Sequence, residues 1–148
     1  MQKRLQTLTR IVEVKEHQRR SAEEPRALGA VLGRLEYLAG GRLAVAHQPL
    51  GNEGAPSLED GDPLLDILRS VAGVEVVLYL RETEPGVCKL SARSKSAFDV
   101  NALARRFGGG GHVKASGATI PGRLDDVRAR VTAAAVEMLG ASPGGRSR

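Results

Sequence analysis

Val74-Glu75-Val76-Val77-Leu78-Tyr79-Leu80-Arg81 is followed by the turn-forming Glu84-Pro85-Gly86 and then by Val87-Cys88-Lys89-Leu90-Ser91-Ala92-Arg93-Ser94. The first run is β-branched and largely apolar, the strongest strand signal in the chain. The second alternates, and alternate residues of a strand point to opposite faces. Cys88, Leu90 and Ala92 therefore share an apolar face, while Lys89, Ser91 and Arg93 share a polar, basic one. With Pro-Gly between them, the two runs predict a β-hairpin. Arg93 is its chemically loaded residue, because a guanidinium stays charged and forks toward two oxygens of a phosphate or carboxylate. An ordinary exposed strand arginine is the plainer alternative.

Downstream, Asp99 is placed as the N-cap of a helix over residues 100–107, with Val100, Leu103, Ala104 and Phe107 as its buried stripe. Gly108-Gly109-Gly110-Gly111-His112 follows, then a strand predicted over 113–120 and a break at Pro121-Gly122. Leu124, Val127, Val131, Ala134, Ala135 and Met138 mark a closing helix. Upstream, Asp62-Pro63 has the pattern of an N-cap and first helical position, opening a helix over 64–71. The acids at 59–62 lack the alternation of a calcium loop, so the capping role is preferred. Leu43-Ala44-Val45-Ala46 reads as a short strand. A helix is expected over 26–38, ended by Gly40-Gly41. Residues 1–24 are expected to form a linker-like helix with Leu5, Leu8, Ile11 and Val12 as its stripe, residues 25–140 the domain proper, and residues 141–148 a disordered tail.

Four successive glycines permit positive φ without a Cβ penalty, so several backbone N–H groups can converge on an anion. A flexible linker is the competing reading. The charge distribution favours the first, since residues 89–117 carry six Lys/Arg against one Asp, a net +5 that equals the excess of the whole chain. A basic segment beside a glycine nest draws in phosphate-bearing ligands. The stretch is not a P-loop, because no Gly-Lys-Ser/Thr follows, and its spacing is not that of a dinucleotide fingerprint.

Composition removes several classes. Aromatic residues are 3% of the chain, too few to stack a run of single-stranded bases. Cys88 is the sole cysteine, so no intramolecular disulfide or cysteine-based zinc site can form, and a small buried filler is its expected role. No apolar run approaches the length of a membrane span, and no secretory signal is visible, so a reducing cytoplasm is the expected setting. His47 has no acidic or histidine partner at ligand spacing, and His17, within a polar run, is expected to be a solvated surface residue.

Leu90-Ser91-Ala92-Arg93-Ser94, Val100-Asn101-Ala102-Leu103-Ala104, Phe107 with Gly108-Gly109-Gly110-Gly111-His112, and Ala115-Ser116-Gly117 together resemble the DHH-associated C-terminal domain of the DHH phosphoesterases. Within that group they are most similar to the NrnA-type oligoribonuclease and 3′-phosphoadenosine-5′-phosphate phosphatase branch. The resemblance implies an α/β fold, a single domain with a mixed sheet of about four to five strands flanked by helices. It implies binding of short RNA or DNA oligonucleotides or nucleotide phosphates, gripped here and hydrolysed by a separate DHH domain. On that basis Gly108, Gly109, Gly110, Gly111 and His112 contact the end nucleotide, Arg93 holds a phosphate, and Ser91 lies beside it. Lys114 and Lys95 are added from charge alone.

The Asp-His-His motif itself is missing, and no Asp/His set at metal-ligand spacing replaces it. No catalytic residue and no metal ligand is therefore assigned to this chain, and manganese or magnesium is expected only in a DHH domain, supplied in trans if need be. Two further readings stay open. One is an RNA-binding module like the C-terminal domain of alanyl-tRNA synthetases. The other is a structural or dimerising domain, with Leu5, Leu8 and Val12 as a homodimer seam.

Overall fold

A computed structural model describes residues 23–51 and 55–141. The stretches where the N-terminal linker-like helix and the C-terminal tail are expected fall almost wholly outside the described residues. The described elements run α1 (Glu23–Gly33), β1 (Glu36–Leu38), a 3-10 turn (Ala39–Gly41), β2 (Leu43–Gln48), α2 (Pro63–Ser70), β3 (Val76–Glu84), β4 (Val87–Ser94), α3 (Val100–Arg105), β5 (Gly110–Gly111), β6 (Ala115–Pro121) and α4 (Leu124–Ala141). The six strands form one mixed sheet in the order β1-β2-β3-β4-β6-β5. This is the expected α/β architecture, with one strand more than the upper expectation.

The hairpin sits at its centre. β3 and β4 pair antiparallel with Tyr79 opposite Ser91 and Val77 opposite Arg93, and β4 pairs antiparallel with β6. Gly86 turns the hairpin at φ +75°, a conformation that favours glycine. β2 and β3 run parallel, which requires a crossover, and α2 lies within it. Asp62 caps that helix as expected, its Oδ1 accepting from Leu64 N–H at 2.9 Å, with Pro63 next. Asp99 does the same for α3, accepting from Ala102 N–H at 3.0 Å. Each such cap satisfies an otherwise orphaned donor and is worth about 1 kcal/mol.

The sheet separates two cores. One face carries Leu43, Val45, Val76, Leu78, Leu80, Cys88, Leu90, Ala92 and Ile120, packed under Leu103 of α3 and Val127, Val131 and Leu139 of α4. The opposite face carries Ala44, Ala46, Val77 and Tyr79, packed under Val31 of α1, Leu58, and Leu64, Leu65 and Leu68 of α2. Complete burial of one such leucine contributes roughly 1.5–3 kcal/mol, and α2 is fastened by three of them, Leu64, Leu65 and Leu68. Cys88 is buried as expected, and burial raises its thiol above the ordinary range, which keeps it protonated and inert.

Two expectations are corrected. The helix predicted over 26–38 stops at Gly33, because Glu36-Tyr37-Leu38 pairs antiparallel with Leu43-Ala44-Val45 as edge strand β1. Short turns from Val31 to Arg34 and from Leu32 to Leu35 close the helix. Leucine spacing alone continued the pattern through a true chain reversal. The second correction concerns the glycines: Gly110-Gly111 is a short strand bonded to Gly117 and Ser116 rather than a free loop.

Candidate functional site

Strand register lines up three rows across the face that α1 and α2 cover. Ala44, Val77, Arg93 and Ala115 form the first row. Ala46, Tyr79, Ser91 and Gly117 form the second, and Gln48, Arg81, Lys89 and Thr119 the third. On β2 and β3 the first two rows disappear under helices. On β4 and β6 the rows stay open and floor a cavity of about 610 Å³, walled by Gly108, Gly109, Gly110 and Gly111. Lys89, Ser91 and Arg93 all line it, so the polar face expected of that strand is part of the floor of the cavity.

The glycines serve close approach more than positive φ. Gly108 sits at φ +82° and Gly111 at φ +152°. A Cβ on Gly109 would lie 2.1 Å from the Gly117 carbonyl oxygen, and one on Gly111 would lie 2.6 Å from that of Ala115. A Cβ on Gly117 would meet the Leu90 carbonyl oxygen at 2.7 Å. The expected nest of free N–H groups does not form. Gly108 and Gly109 N–H donate to the Arg105 and Ala104 carbonyls, ending α3. Gly111 N–H donates to Asn101 Oδ1 at 3.0 Å, and His112 N–H to the Ala115 carbonyl at 2.7 Å. The loop is thus a rigid, side-chain-free wall, and the positive charge in the cavity comes from Arg93 and Lys89.

Local bonds hold the wall in place. Asn101, in the first turn of α3, ties Gly111; Ser116 Oγ donates to the Val100 carbonyl at 2.5 Å; and Val100 N–H donates to the Val113 carbonyl at 2.9 Å. Arg93 Nη1 donates to the carbonyl of Ala92 at 3.0 Å, and Arg93 forms no carboxylate ion pair among the described residues. Tyr79, beneath the boundary between covered and open surface, has its hydroxyl pKa pushed up to about 12, chiefly by burial, and keeps its proton.

The other expected cations are not on the cavity floor. Lys114 Nζ donates to the Ser96 carbonyl at 2.7 Å, and Lys95 Nζ to the Arg69 carbonyl at 2.8 Å at the end of α2. His112 is exposed at the far end of the glycine wall, one residue past the last lining glycine. Two contributors were not among the expected site residues. Lys89 was visible on the polar face of its strand; Asn101 was not, because its partner lies ten residues away through a tertiary contact.

Among the described residues no three His, Cys, Asp or Glu side chains converge closely enough to hold a metal ion. Catalytic metals of the kind the DHH resemblance implies do not fit the side chains described here, and no hydrolytic step is assigned to them. No helix among the described residues is long and apolar enough to cross a membrane.

The DHHA1 domain family matches residues 59–137, a span that takes in both β4 and the whole glycine wall. The chain belongs to the DHHA1 domain family. It is 41% identical over 115 residues to the bifunctional oligoribonuclease and PAP phosphatase NrnA of Thermus thermophilus, covering 77% of this chain and 34% of that protein. Among solved structures it resembles an exopolyphosphatase-related protein from Bacteroides fragilis, with a TM-score of 0.66 and 28% identity over 79% of this chain and 35% of the other. The pGpG-specific phosphodiesterase PggH from Vibrio cholerae shares the fold alone, with a TM-score of 0.57 and 13% identity over 82% of this chain and 40% of the other. The chain spans about a third of the length of the NrnA relative.

Proposed function

We propose that this DHHA1 domain grips a short oligonucleotide or a nucleotide phosphate on the open half of its sheet, for hydrolysis by a separate DHH domain that carries manganese or magnesium. The observation behind this reading is the cavity in which Arg93, Ser91 and Lys89 face a wall of backbone with no side chains. A phosphate there meets the Arg93 guanidinium, able to fork onto two of its oxygens, with the Ser91 hydroxyl next along the strand face, while the Lys89 ammonium stands farther along that face for a linked group. The glycine wall puts no side chain between its backbone and the cavity, so a flat ligand can lie close against it. Likeness to an oligoribonuclease and PAP phosphatase supports the same class of ligand. Glu59 is the one carboxylate on the described lining, with no histidine or second acid beside it there, so on this reading the domain binds and positions while the bond is broken elsewhere.

Calorimetric titration of a 5′-phosphorylated dinucleotide into the 148-residue chain at low salt tests the reading. Arg93→Gln should weaken binding about 10- to 100-fold while leaving the melting temperature nearly unchanged, since a hydrogen bond to a charged group is lost at a half-exposed site. Absence of binding at low salt, or equal affinity in Arg93→Gln, would overturn it. Mixing the chain with a DHH domain and manganese should then restore nucleotide release that neither part shows alone.

A further inference from the structure

The third register row does not end at the cavity just described. From Thr119 and Lys89 on its floor the row continues through Arg81 to Gln48. Those two residues line a second cavity, of about 380 Å³, together with Leu50, Thr83 and the carboxylate-bearing Glu82. Gln48 is only 1% exposed. Its Oε1 accepts from Arg34 Nη2 at 2.6 Å. A guanidinium only donates, so the oxygen must be the amide atom facing Arg34, which leaves the NH2 on the opposite side. That Nε2 is buried with no hydrogen-bond partner among the described residues. A buried amide donor without an acceptor is costly, and native structures rarely keep one unless a ligand or water completes it.

Arg81 stands beside it on the next strand, half-exposed and outside the ion pairs of the described residues. The neighbouring acid, Glu82, is turned onto backbone: its two oxygens accept from Leu50 N–H and Gly86 N–H, each at 3.4 Å. The pair Gln48 and Arg81 therefore offers donors to an oxygen-rich, anionic group. We propose that Gln48 and Arg81 form a second phosphate subsite, which holds a further phosphodiester of an oligonucleotide whose end is gripped at Arg93.

Spacing sets the substrate class. Arg93 and Lys89 are four residues apart on β4, about 13 Å, and Gln48 lies two strand spacings beyond Lys89, about 10 Å. One phosphate cannot engage both anchors, whereas linked nucleotides crossing by way of Lys89 can. The proposal rests on the binding role above and adds that the domain selects for length: oligonucleotides over single nucleotide phosphates.

The test is Gln48→Glu, which is isosteric, keeps an oxygen toward Arg34 and places an anion where the NH2 stands. Affinities of the full chain for a 5′-phosphorylated mononucleotide and pentanucleotide are compared. In the wild type the pentanucleotide should bind more tightly, and Gln48→Glu should weaken it about tenfold while shifting the mononucleotide by less than about twofold. Arg81→Gln, at a half-exposed side chain, should give the same pattern and serves if the first variant melts early. The Gln48 side-chain amide resonance should move with the pentanucleotide but not with inorganic phosphate at the same concentration. If inorganic phosphate moves it equally, the pocket takes free anions and the strand-tracking claim is overturned. Equal wild-type affinity for both lengths, or equal weakening of both by Gln48→Glu, also overturns it. In those cases a loss of binding in Arg93→Gln leaves the first site standing; a wild type that binds no nucleotide sinks both.

Discussion

The two halves of one sheet face share a backbone and three register rows, yet they are finished differently. Over β2 and β3 the rows present Ala44, Ala46, Val77 and Tyr79, small or apolar, and α1 and α2 close over them. Over β4 and β6 the same rows present Arg93 and Ala115, Ser91 and Gly117, Lys89 and Thr119, and a cavity takes the place of a helix. A helix laid there would bury Arg93 and Lys89, and an unpaired buried charge costs several kcal/mol. The opposite face of β4 shows that the strand can be covered, since Cys88, Leu90 and Ala92 are buried under α3 and α4. Side-chain chemistry on alternate residues of a single strand thus decides which surface becomes core and which becomes site.

Substitutions can break this contrast from either side. The largest effect is expected in the covered half: Leu64→Ala, at a fully buried position of α2, should cost about 2–5 kcal/mol in denaturant unfolding while nucleotide affinity in the folded fraction stays unchanged. A loss of affinity as large as that of Arg93→Gln would show the halves are not separable. Gly109→Ala strikes the open half through its wall. With the new Cβ 2.1 Å from the Gly117 oxygen, the wall must shift, at a cost of about 1–3 kcal/mol in stability, with nucleotide binding lost as well. Unaltered binding there would remove the glycine wall from the account.

Asn101→Ala is the finer instrument. It removes the acceptor for Gly111 N–H and should cost about 1 kcal/mol. Affinity should drop less than in Arg93→Gln, and the Gly111 amide should exchange faster with solvent. Asn101→Asp, which keeps an acceptor, should restore the protection. The smallest effect is a control that lies in neither half. The Arg42 guanidinium, bonded to Glu75 where β2 and β3 begin, holds the Glu75 carboxyl below its usual range. A depressed folded-state value means this stability is present above the ordinary glutamate range near 4.3 and lost as pH falls through the folded value. Glu75→Gln should therefore flatten the acid limb of the stability profile while leaving neutral-pH binding intact. An unchanged acid limb would count against the pairing.

Much of the frame was legible in the chain. The hairpin, the caps at Asp62 and Asp99, and the split of β4 into an apolar and a basic face each rest on local spacing, and local spacing is what a sequence displays. Arg93, Ser91 and the glycines stood out as candidates for the same reason, and the structure gathers them around one cavity. What escaped depended on partners distant along the chain. Edge strand β1 needs β2 to exist, and its leucines mimic a helix until that pairing is made. The glycine run suggested free N–H groups, but Ala104, Arg105, Asn101 and Ala115 take them up through contacts that spacing does not reveal. Lys114 and Lys95 were chosen for charge near the glycines, yet each finds a carbonyl elsewhere. Gln48 and Arg81 join the site only through a parallel crossover about thirty residues long.

The central claim is that a short nucleotide ligand is gripped on the open stretch of β4 and β6 and not on the rows that α1 and α2 cover. Amide chemical-shift mapping of the chain with a 5′-phosphorylated dinucleotide tests it most directly. The account predicts shifts confined to Lys89, Ser91, Arg93, Gly108 to Gly111, Gly117 and Thr119. Shifts centred on α1 and α2, or none at saturating nucleotide and low salt, would contradict it.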